Sequence, residues 1–333
     1  MLTGKPLSPK NLVLQAPFPW FGGKSRAADL IWNRLGNVPN YVEPFAGSLA
    51  VLLGRPSEPG IETVNDLDGF VCNAWRAILH DPDATAHACD WPVNENDLHA
   101  RHLWLVARRA ELSDRLCGDP EYFDAKIAGW WLWGIACWIG SGWCSGKGPW
   151  QSIDGLMQLP HLGDAGQGVN RQLPHLGGAG RGVNKGGVVD WLRALSSRLA
   201  RVRVCCGDWR RVMGPSVTTI LGITGIVLDP PYSADAGRDN TLYSCDDTSV
   251  AHDVREWALA HGDDPKMRIV LCGYEGEHLL PGWECVEWKA HGGYGSQGET
   301  TGRENATRER LWFSPHCLKQ DSQLPLFAAC GVM

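Results

Sequence analysis

Short runs of apolar residues alternate along much of the chain with segments that have the apolar spacing of a helix. The runs Ile226–Leu228 and "MRIVLCGY" contain no polar alternation, which is typical of strands covered on both faces. Between them, "SVAHDVREWALAH" brings Val250, Val254 and Ala258 to one face of a helix. This order predicts an α/β fold with a doubly wound, mostly parallel sheet. The last two runs, "WECVEWKA" and "RERLWFSP", predict an antiparallel C-terminal hairpin.

Residues 80–200 interrupt this alternation. The segment begins with helical patterns and continues into "WWLWGIACWIGSGWCSGKGPW", whose tryptophans between Trp130 and Trp138 we expect in a core. It then repeats a glycine-rich stretch, at residues 158–171 and 172–185, and two copies are too few for a solenoid, which needs at least about three. We therefore predict three parts, namely a discontinuous domain of residues 1–79 and 201–315, an inserted helical and loop domain of residues 80–200 with a duplicated loop, and a tail of residues 316–333.

Composition narrows the class of protein. The 333 residues are 44% hydrophobic and 20% charged, which is typical of a folded globular chain. No apolar run reaches the roughly 20 residues of a membrane span, and the N-terminal stretch lacks the features of a secretion signal. The twelve cysteines include no CxxC pair, which favours reduced thiols and a cytoplasmic protein. A net charge of −6 means that any surface for a polyanion must be local.

Several predicted strands end in an acidic residue. Asp229 follows Ile226–Leu228 and precedes two prolines, which lack the N–H donor that a strand needs. Asp66 and Asp208 follow two other strands, and Gly47 lies in the turn after the first. In open α/β sheets ligands bind at this edge, and an acid close to twenty residues beyond such a glycine is typical of ribose binding. Because no phosphate-binding motif accompanies it, the pattern predicts a site for a nucleoside without phosphates, although each acid alone could equally cap a turn.

Six motifs then carry a resemblance to a known family. "FPWFGGK", "VEPFAGSLAV", "NDLDG", "CGDW", "LDPPY" and "RERLWFSP" resemble, in order, those of the Dam-like DNA adenine-N6 methyltransferases, the alpha-group enzymes with a DPPY motif. They extend over residues 18–315, and the insertion lies where this family has its target-recognition domain. One departure is Leu49, at a position where many members carry a glycine, so the geometry of that turn is open. The resemblance implies a Rossmann-like methyltransferase sheet.

The resemblance also implies a methyl donor, S-adenosylmethionine, and a set of residues around it. Asp66 would hold the ribose and Asp208 the adenine amino group of the donor. The complete donor-binding set implied by the motifs is Trp20, Gly23, Lys24, Glu43, Phe45, Ala46, Gly47, Ser48, Asp66, Asp208 and Asp229. No metal is implied, and His161, His175, Cys137 and Cys144 match no zinc-binding spacing.

The catalytic residues implied by the resemblance are Asp229, Pro230, Pro231 and Tyr232. The Asp229 carboxylate and the Pro230 carbonyl would accept the two amino hydrogens of an adenine, so that the nitrogen lone pair can attack the donor methyl group. The target atom is inaccessible in a stacked duplex, so the base must flip out of the helix. Tyr232 would then stack on it, an interaction that contributes about 1–3 kcal/mol per base.

A basic segment is the best candidate for holding double-stranded DNA. Residues 143–203 contain eight lysines and arginines and three aspartates, and the strongest phosphate-binding candidates are Lys147, Arg171, Arg181 and Lys185. Two alternatives stay open, namely methylation of RNA adenine or of cytosine N4, and a catalytically silent DNA-binding or partner module. The sequence leaves open a companion restriction endonuclease, a bacterial or phage origin, and whether the protein is a monomer or a weak dimer.

Overall fold

The computed structural model describes residues 14–20, 22–92, 94–138, 143–144, 151–153, 156–158, 187–232, 250–288 and 308–319. The strands are β1 (Asn40–Glu43), β2 (Ile61–Asp66), β3 (Gln151–Ile153), β4 (Leu156–Gln158), β5 (Val202–Cys206), β6 (Thr224–Leu228), β7 (Met267–Tyr274), β8 (Glu284–Glu287) and β9 (Glu309–Phe313). The helices are α1 (Ala28–Leu35), α2 (Ala50–Leu53), α3 (Gly69–His80), α4 (Pro82–Cys89), α5 (Glu95–Val106), α6 (Arg109–Gly118), α7 (Ala125–Cys137), α8 (Gly187–Leu199) and α9 (Val250–His261).

Seven strands form one sheet in the order β5-β2-β1-β6-β7-β9-β8. The first five strands are parallel to one another, whereas β9 is antiparallel to both β7 and β8. The predicted doubly wound sheet and its antiparallel C-terminal hairpin are therefore confirmed. Strand β9 lies between β7 and β8, so the hairpin joins the sheet through its second strand.

Both faces of the central strands are covered, as their uninterrupted apolar runs predict. Val227 and Val270 pack in one hydrophobic cluster, and Ile226 and Ile269 pack in a second cluster. Because neighbouring strand residues point to opposite faces, the two clusters lie on the two sides of the sheet. The outer strand β8 is largely exposed and begins and ends with a glutamate, which discourages pairing with another edge.

The later helices of residues 80–200 pack on α3, which precedes this segment, and on α4, which belongs to it. Helices α7 and α8 both contact α3 and α4. Trp131, Trp133 and Trp138 are buried, as predicted for core residues, and the ring of Trp143 lies so close to Gly134 that no side chain fits there. The β3–β4 hairpin was not predicted, because strands of three residues give too short a pattern. The duplicated stretch, residues 158–185, lies outside the described residues except for Gln158.

Cysteines of the described segments are free thiols, and most of them are buried. Among the helices that the structure describes, none combines the length and the apolar character that crossing a bilayer requires.

Candidate active site

The carboxyl ends of β1, β2, β6 and β7 place a series of polar side chains along one edge of the sheet. Glu43 ends β1, Asp66 ends β2, and Asp229 comes directly after β6. Strand β9 runs the other way, so its first residue, Glu309, lies opposite Tyr274 at the end of β7. Four carboxylates from four strands are thus arranged along this edge.

A buried lysine joins two of these carboxylates. The Lys24 ammonium Nζ lies 2.9 Å from Asp229 Oδ1 and 3.9 Å from Glu309 Oε2, and it donates a hydrogen bond of 2.7 Å to the Gly22 carbonyl. Lys24 is 3% exposed and Glu309 is 5% exposed, whereas the Asp229 side chain keeps 25% of its surface open. Asp229 is therefore the member of this cluster that a substrate could reach.

The Tyr232 hydroxyl connects the same two carboxylates. It donates to Glu309 Oε2 at 2.8 Å and lies 3.3 Å from Asp229 Oδ1. The ring is buried edge-on against Tyr274, with centroids 4.6 Å apart, and Lys24 Nζ lies 5.3 Å from its centroid. We call Lys24, Asp229, Tyr232 and Glu309 the acceptor cluster.

Burial and charge act together on the pKa values of the acceptor cluster. Burial alone would lower the pKa of Lys24, but attraction to Asp229 and Glu309 outweighs it and holds that pKa above its ordinary value. Burial raises the pKa of Glu309, and the Lys24 charge opposes that rise. Burial, followed by the Asp229 charge, raises the pKa of Tyr232 well above its usual value, so its hydroxyl remains a hydrogen-bond donor at neutral pH.

Glu43 differs from the other acids at this edge. Its Oε2 accepts a hydrogen bond of 2.9 Å from the Tyr41 hydroxyl, and burial raises its pKa to about 8. Glu43 is therefore mostly protonated at neutral pH and adds little negative charge to the edge.

The turn after β1 forms a second group with the end of β2. The Gly47 N–H donates to Asp66 Oδ2 at 2.9 Å, and Gly47 has a φ of +44°, in the left-handed region that favours glycine. The Trp75 indole Nε1 donates to the Gly47 carbonyl at 2.8 Å, while the Trp20 ring covers the position where a Gly47 side chain would lie. We call Trp20, Gly47 and Asp66 the turn group.

Leu49 stands where many family members carry a glycine, and the structure shows the geometry of the turn there. It has a φ of +54° and is fully buried, so the turn keeps a left-handed residue there without glycine. This conformation costs an ordinary residue roughly 1–2 kcal/mol. Burial of the leucine side chain in the main core offsets that cost.

Asp66 accepts a second hydrogen bond, from the Asp68 N–H at 2.9 Å. Burial raises the pKa of Asp66 to about 6, against the opposing effect of these backbone donors. Asp66 is half-buried, so its carboxylate can still accept hydrogen bonds from a hydroxyl-bearing ligand.

Asp208 lies outside the turn group, and its side chain contacts Arg210. Its side chain is 54% exposed, accepts from the Arg210 N–H at 2.9 Å, and pairs with the Arg210 guanidinium at 3.2 Å. The capping role that the sequence left open is thus present.

Phe45 packs at 6.1 Å from the ring of the neighbouring Trp209, and the Ala46 N–H donates to the Asn65 carbonyl at 2.8 Å. Ser48 is buried beside Gly23.

The acceptor cluster and the turn group contain six of the residues that the motifs singled out, namely Trp20, Lys24, Gly47, Asp66, Asp229 and Tyr232. Lys24, expected to line the donor pocket, pairs with Asp229, another residue of the expected donor-binding set. Glu309 was missed, although an acid at the start of an apolar strand is a signal that it faces the site.

The DNA-contact candidates Lys147, Arg171, Arg181 and Lys185 lie outside the described residues, as do His161 and His175. Within the described segments no group of three or more histidines, cysteines or acids could hold a metal ion.

Comparison with known families agrees with this geometry. A family model, D12 class N6 adenine-specific DNA methyltransferase, matches residues 20–112, a segment that contains Lys24 and the turn group. A search of curated proteins finds no match. The family match confirms the resemblance and the enzyme class that the motifs indicated, and the sheet is consistent with a Rossmann-like methyltransferase fold.

Proposed function

We propose that this adenine-specific DNA methyltransferase transfers a methyl group from S-adenosylmethionine to the N6 atom of an adenine flipped out of duplex DNA. The observation that carries the proposal is the position of Asp229, a partly exposed carboxylate at the end of β6 that is held from behind by Lys24 and Tyr232. Gly47 follows β1 and Asp66 ends β2, the next two strands along the same edge.

The turn group fits the nucleoside part of the donor. The absence of a side chain at Gly47 lets the Trp20 ring lie against the turn, and Asp66 offers a half-buried acceptor for the ribose hydroxyls. Trp20 and Phe45 supply aromatic surface beside the turn, and Asp208 is exposed and able to accept from the adenine amino group. Gly23, Ala46 and Ser48 would complete the wall of the donor pocket. Glu43 would lie beneath that wall.

The acceptor cluster fits the adenine amino group. The donor supplies an electrophilic methyl group on a positively charged sulfur, which leaves with the electrons of the broken C–S bond. Asp229 and the Pro230 carbonyl would accept the two amino hydrogens, directing the nitrogen lone pair at the methyl carbon. Positive charge then develops on the nitrogen, and the fixed Asp229 carboxylate stabilises it before taking up the released proton. Pro230 and Pro231 keep these acceptors rigid, which matters because small displacements slow such a step.

Tyr232 is proposed to contact the flipped base. Its ring is buried against Tyr274, so stacking requires access to one face of that ring. We propose that residues 80–200 form the recognition domain and that Lys147, Arg171, Arg181 and Lys185 contact phosphates, on the strength of their charge. A companion endonuclease would make the protein half of a restriction-modification pair.

The test is to incubate the purified protein with S-adenosylmethionine and unmethylated duplex DNA and to analyse the nucleosides by mass spectrometry. We expect N6-methyldeoxyadenosine. Methylated cytosine, or methylation of RNA alone, would overturn the substrate, and donor binding without any methylated product would contradict the reaction.

Asp229→Ala is the matching variant. We expect it to abolish methyl transfer and to leave DNA binding in a gel-shift assay near that of the unmodified protein, because the carboxylate acts on the amino group and not on the backbone. Glu287→Gln, an exposed carboxylate on β8, is the control and should transfer normally. Unchanged turnover in Asp229→Ala would contradict the mechanism.

A further inference from the structure

Glu309 is a buried acid at the active-site edge that the proposed mechanism does not use. It touches two members of the acceptor cluster, Tyr232 at 2.8 Å and Lys24 at 3.9 Å, and lies opposite Tyr274 in the strand register. A carboxylate that is 5% exposed carries a substantial desolvation cost, which its own two partners must offset.

The contact between Lys24 and Asp229 poses a chemical difficulty for methyl transfer. Lys24 Nζ at 2.9 Å neutralises the carboxylate that has to stabilise a positive nitrogen. An isolated lysine–aspartate pair has no net charge and would attract the developing charge weakly. A second carboxylate on the same lysine removes this difficulty, because the three groups together keep one negative charge.

We propose that Glu309 is a positioning residue that shares Lys24 with Asp229, so that Asp229 keeps negative charge for the reacting nitrogen. This inference rests on the proposed function. Lys24 is already within 3.9 Å of Glu309 Oε2, so a movement of roughly 1 Å would bring it into a close pair there and release Asp229 to the amino group. Tyr232, which donates to Glu309 and approaches Asp229, would fix the distance between the two acids.

Glu309→Gln removes the charge but keeps an acceptor oxygen for the Tyr232 hydroxyl. We expect kcat to fall about tenfold, less than the about 10²–10³-fold loss seen when a group that touches the developing charge is removed. The KM for DNA and the Kd for S-adenosylmethionine should stay within about twofold, since Glu309 contacts neither in this arrangement. Glu309→Asp should recover part of kcat, and Glu287→Gln should match the unmodified enzyme.

Tyr232→Phe separates charge from hydrogen bonding. It removes the hydroxyl bond to Glu309 and keeps both carboxylates and the lysine. If Glu309 acts through charge, the Glu309→Gln loss should persist when measured in a Tyr232→Phe background. If Glu309→Gln has no effect there, Glu309 acts only through the hydroxyl and the charge-sharing proposal is wrong.

A double-mutant cycle tests the network without relying on turnover. Lys24→Met, Glu309→Gln and the double variant are compared by denaturant unfolding. With Lys24 present, Glu309→Gln should destabilise the protein or leave it unchanged. With Lys24→Met, the same change should stabilise it, because it removes an unpaired buried charge, giving a coupling of at least about tenfold in the unfolding constant.

Independent effects in that cycle would overturn charge sharing even if the enzyme methylates adenine. Conversely, a clear coupling in a protein that yields no N6-methyldeoxyadenosine would contradict the proposed function and leave the Lys24–Glu309 interaction established. The failure of either idea can therefore be recognised separately.

Discussion

Gly47→Ala tests the turn group most directly, because glycine is required there for two separate reasons. The residue has a φ of +44°, a conformation that costs an alanine roughly 1–2 kcal/mol. Its Cβ would also lie 2.9 Å from Cε2 and 3.0 Å from Cδ1 of Trp20, and closer still to Nε1. Such overpacking costs about 1–3 kcal/mol where the neighbour cannot move away.

These two effects together predict a loss of about 2–5 kcal/mol in the free energy of unfolding. If Trp20 instead swings away, stability falls less, but the tryptophan then leaves the proposed donor pocket. In that case we expect affinity for S-adenosylmethionine to drop at least about tenfold, which corresponds to roughly 1.4 kcal/mol. Either route leaves a measurable defect.

Denaturant unfolding and calorimetric donor titration of the same preparations measure both quantities. Gly118→Ala is the control, because it lies at the end of α6 with no positive φ and with open space around its Cβ position. Alanine should be neutral there or stabilise the helix by up to about 1 kcal/mol. A Gly47→Ala protein with unchanged unfolding and unchanged donor affinity would refute this account of the turn.

Two further predictions concern Asp66 and Glu62, two acids on β2. Because the pKa of Asp66 is about 6, donor affinity should rise between pH 5 and pH 7 as the carboxylate ionises, and Asp66→Asn should flatten that dependence. Without the donor, the free energy of unfolding should instead fall as pH rises. A raised acid pKa contributes stability that is present at low pH and lost as pH rises through about 6. Glu62→Ala should cost about 3–5 kcal/mol in a denaturant titration, because it removes the buried carboxylate that pairs with Arg55 at 3.2 Å and with the half-buried Arg198 at 2.7 Å. A loss below about 1 kcal/mol would show that water replaces the carboxylate, a much weaker effect than buried pairing implies.

The sequence predicted those parts of the fold that depend on local pattern. Strands β6 and β7 were recognisable because burial on both faces demands uninterrupted apolar residues, and Asp229 was placed at the site because prolines end its strand. Gly47 was expected in the turn after the first strand, but its left-handed conformation was not predicted. Leu49 was harder to interpret, because its left-handed backbone conformation is unfavourable for a leucine. Only the packing of its side chain in the surrounding core explains why it is tolerated.

Contacts between distant residues could not be predicted in this way. The acceptor cluster joins positions 24, 229 and 309, and their meeting depends on β9 lying next to β7 in one particular register. The hairpin itself was evident, but either of its strands could have joined the sheet. Lys24 was assigned to the donor pocket by resemblance, whereas its pairing with Asp229 becomes visible only in the assembled structure.

The charge of this edge links its structure to the proposed chemistry. Glu43, with a pKa of about 8, is mostly neutral at pH 7, so the charge there depends chiefly on Asp229, Glu309 and Lys24. If stability alone had shaped the site, one lysine with one acid would suffice, since each additional buried carboxylate is costly. An excess negative charge is useful where a positive charge develops during reaction. A variant that neutralises Glu309 should therefore lose catalytic rate far more than it loses stability, and the opposite outcome would assign Glu309 to the fold alone.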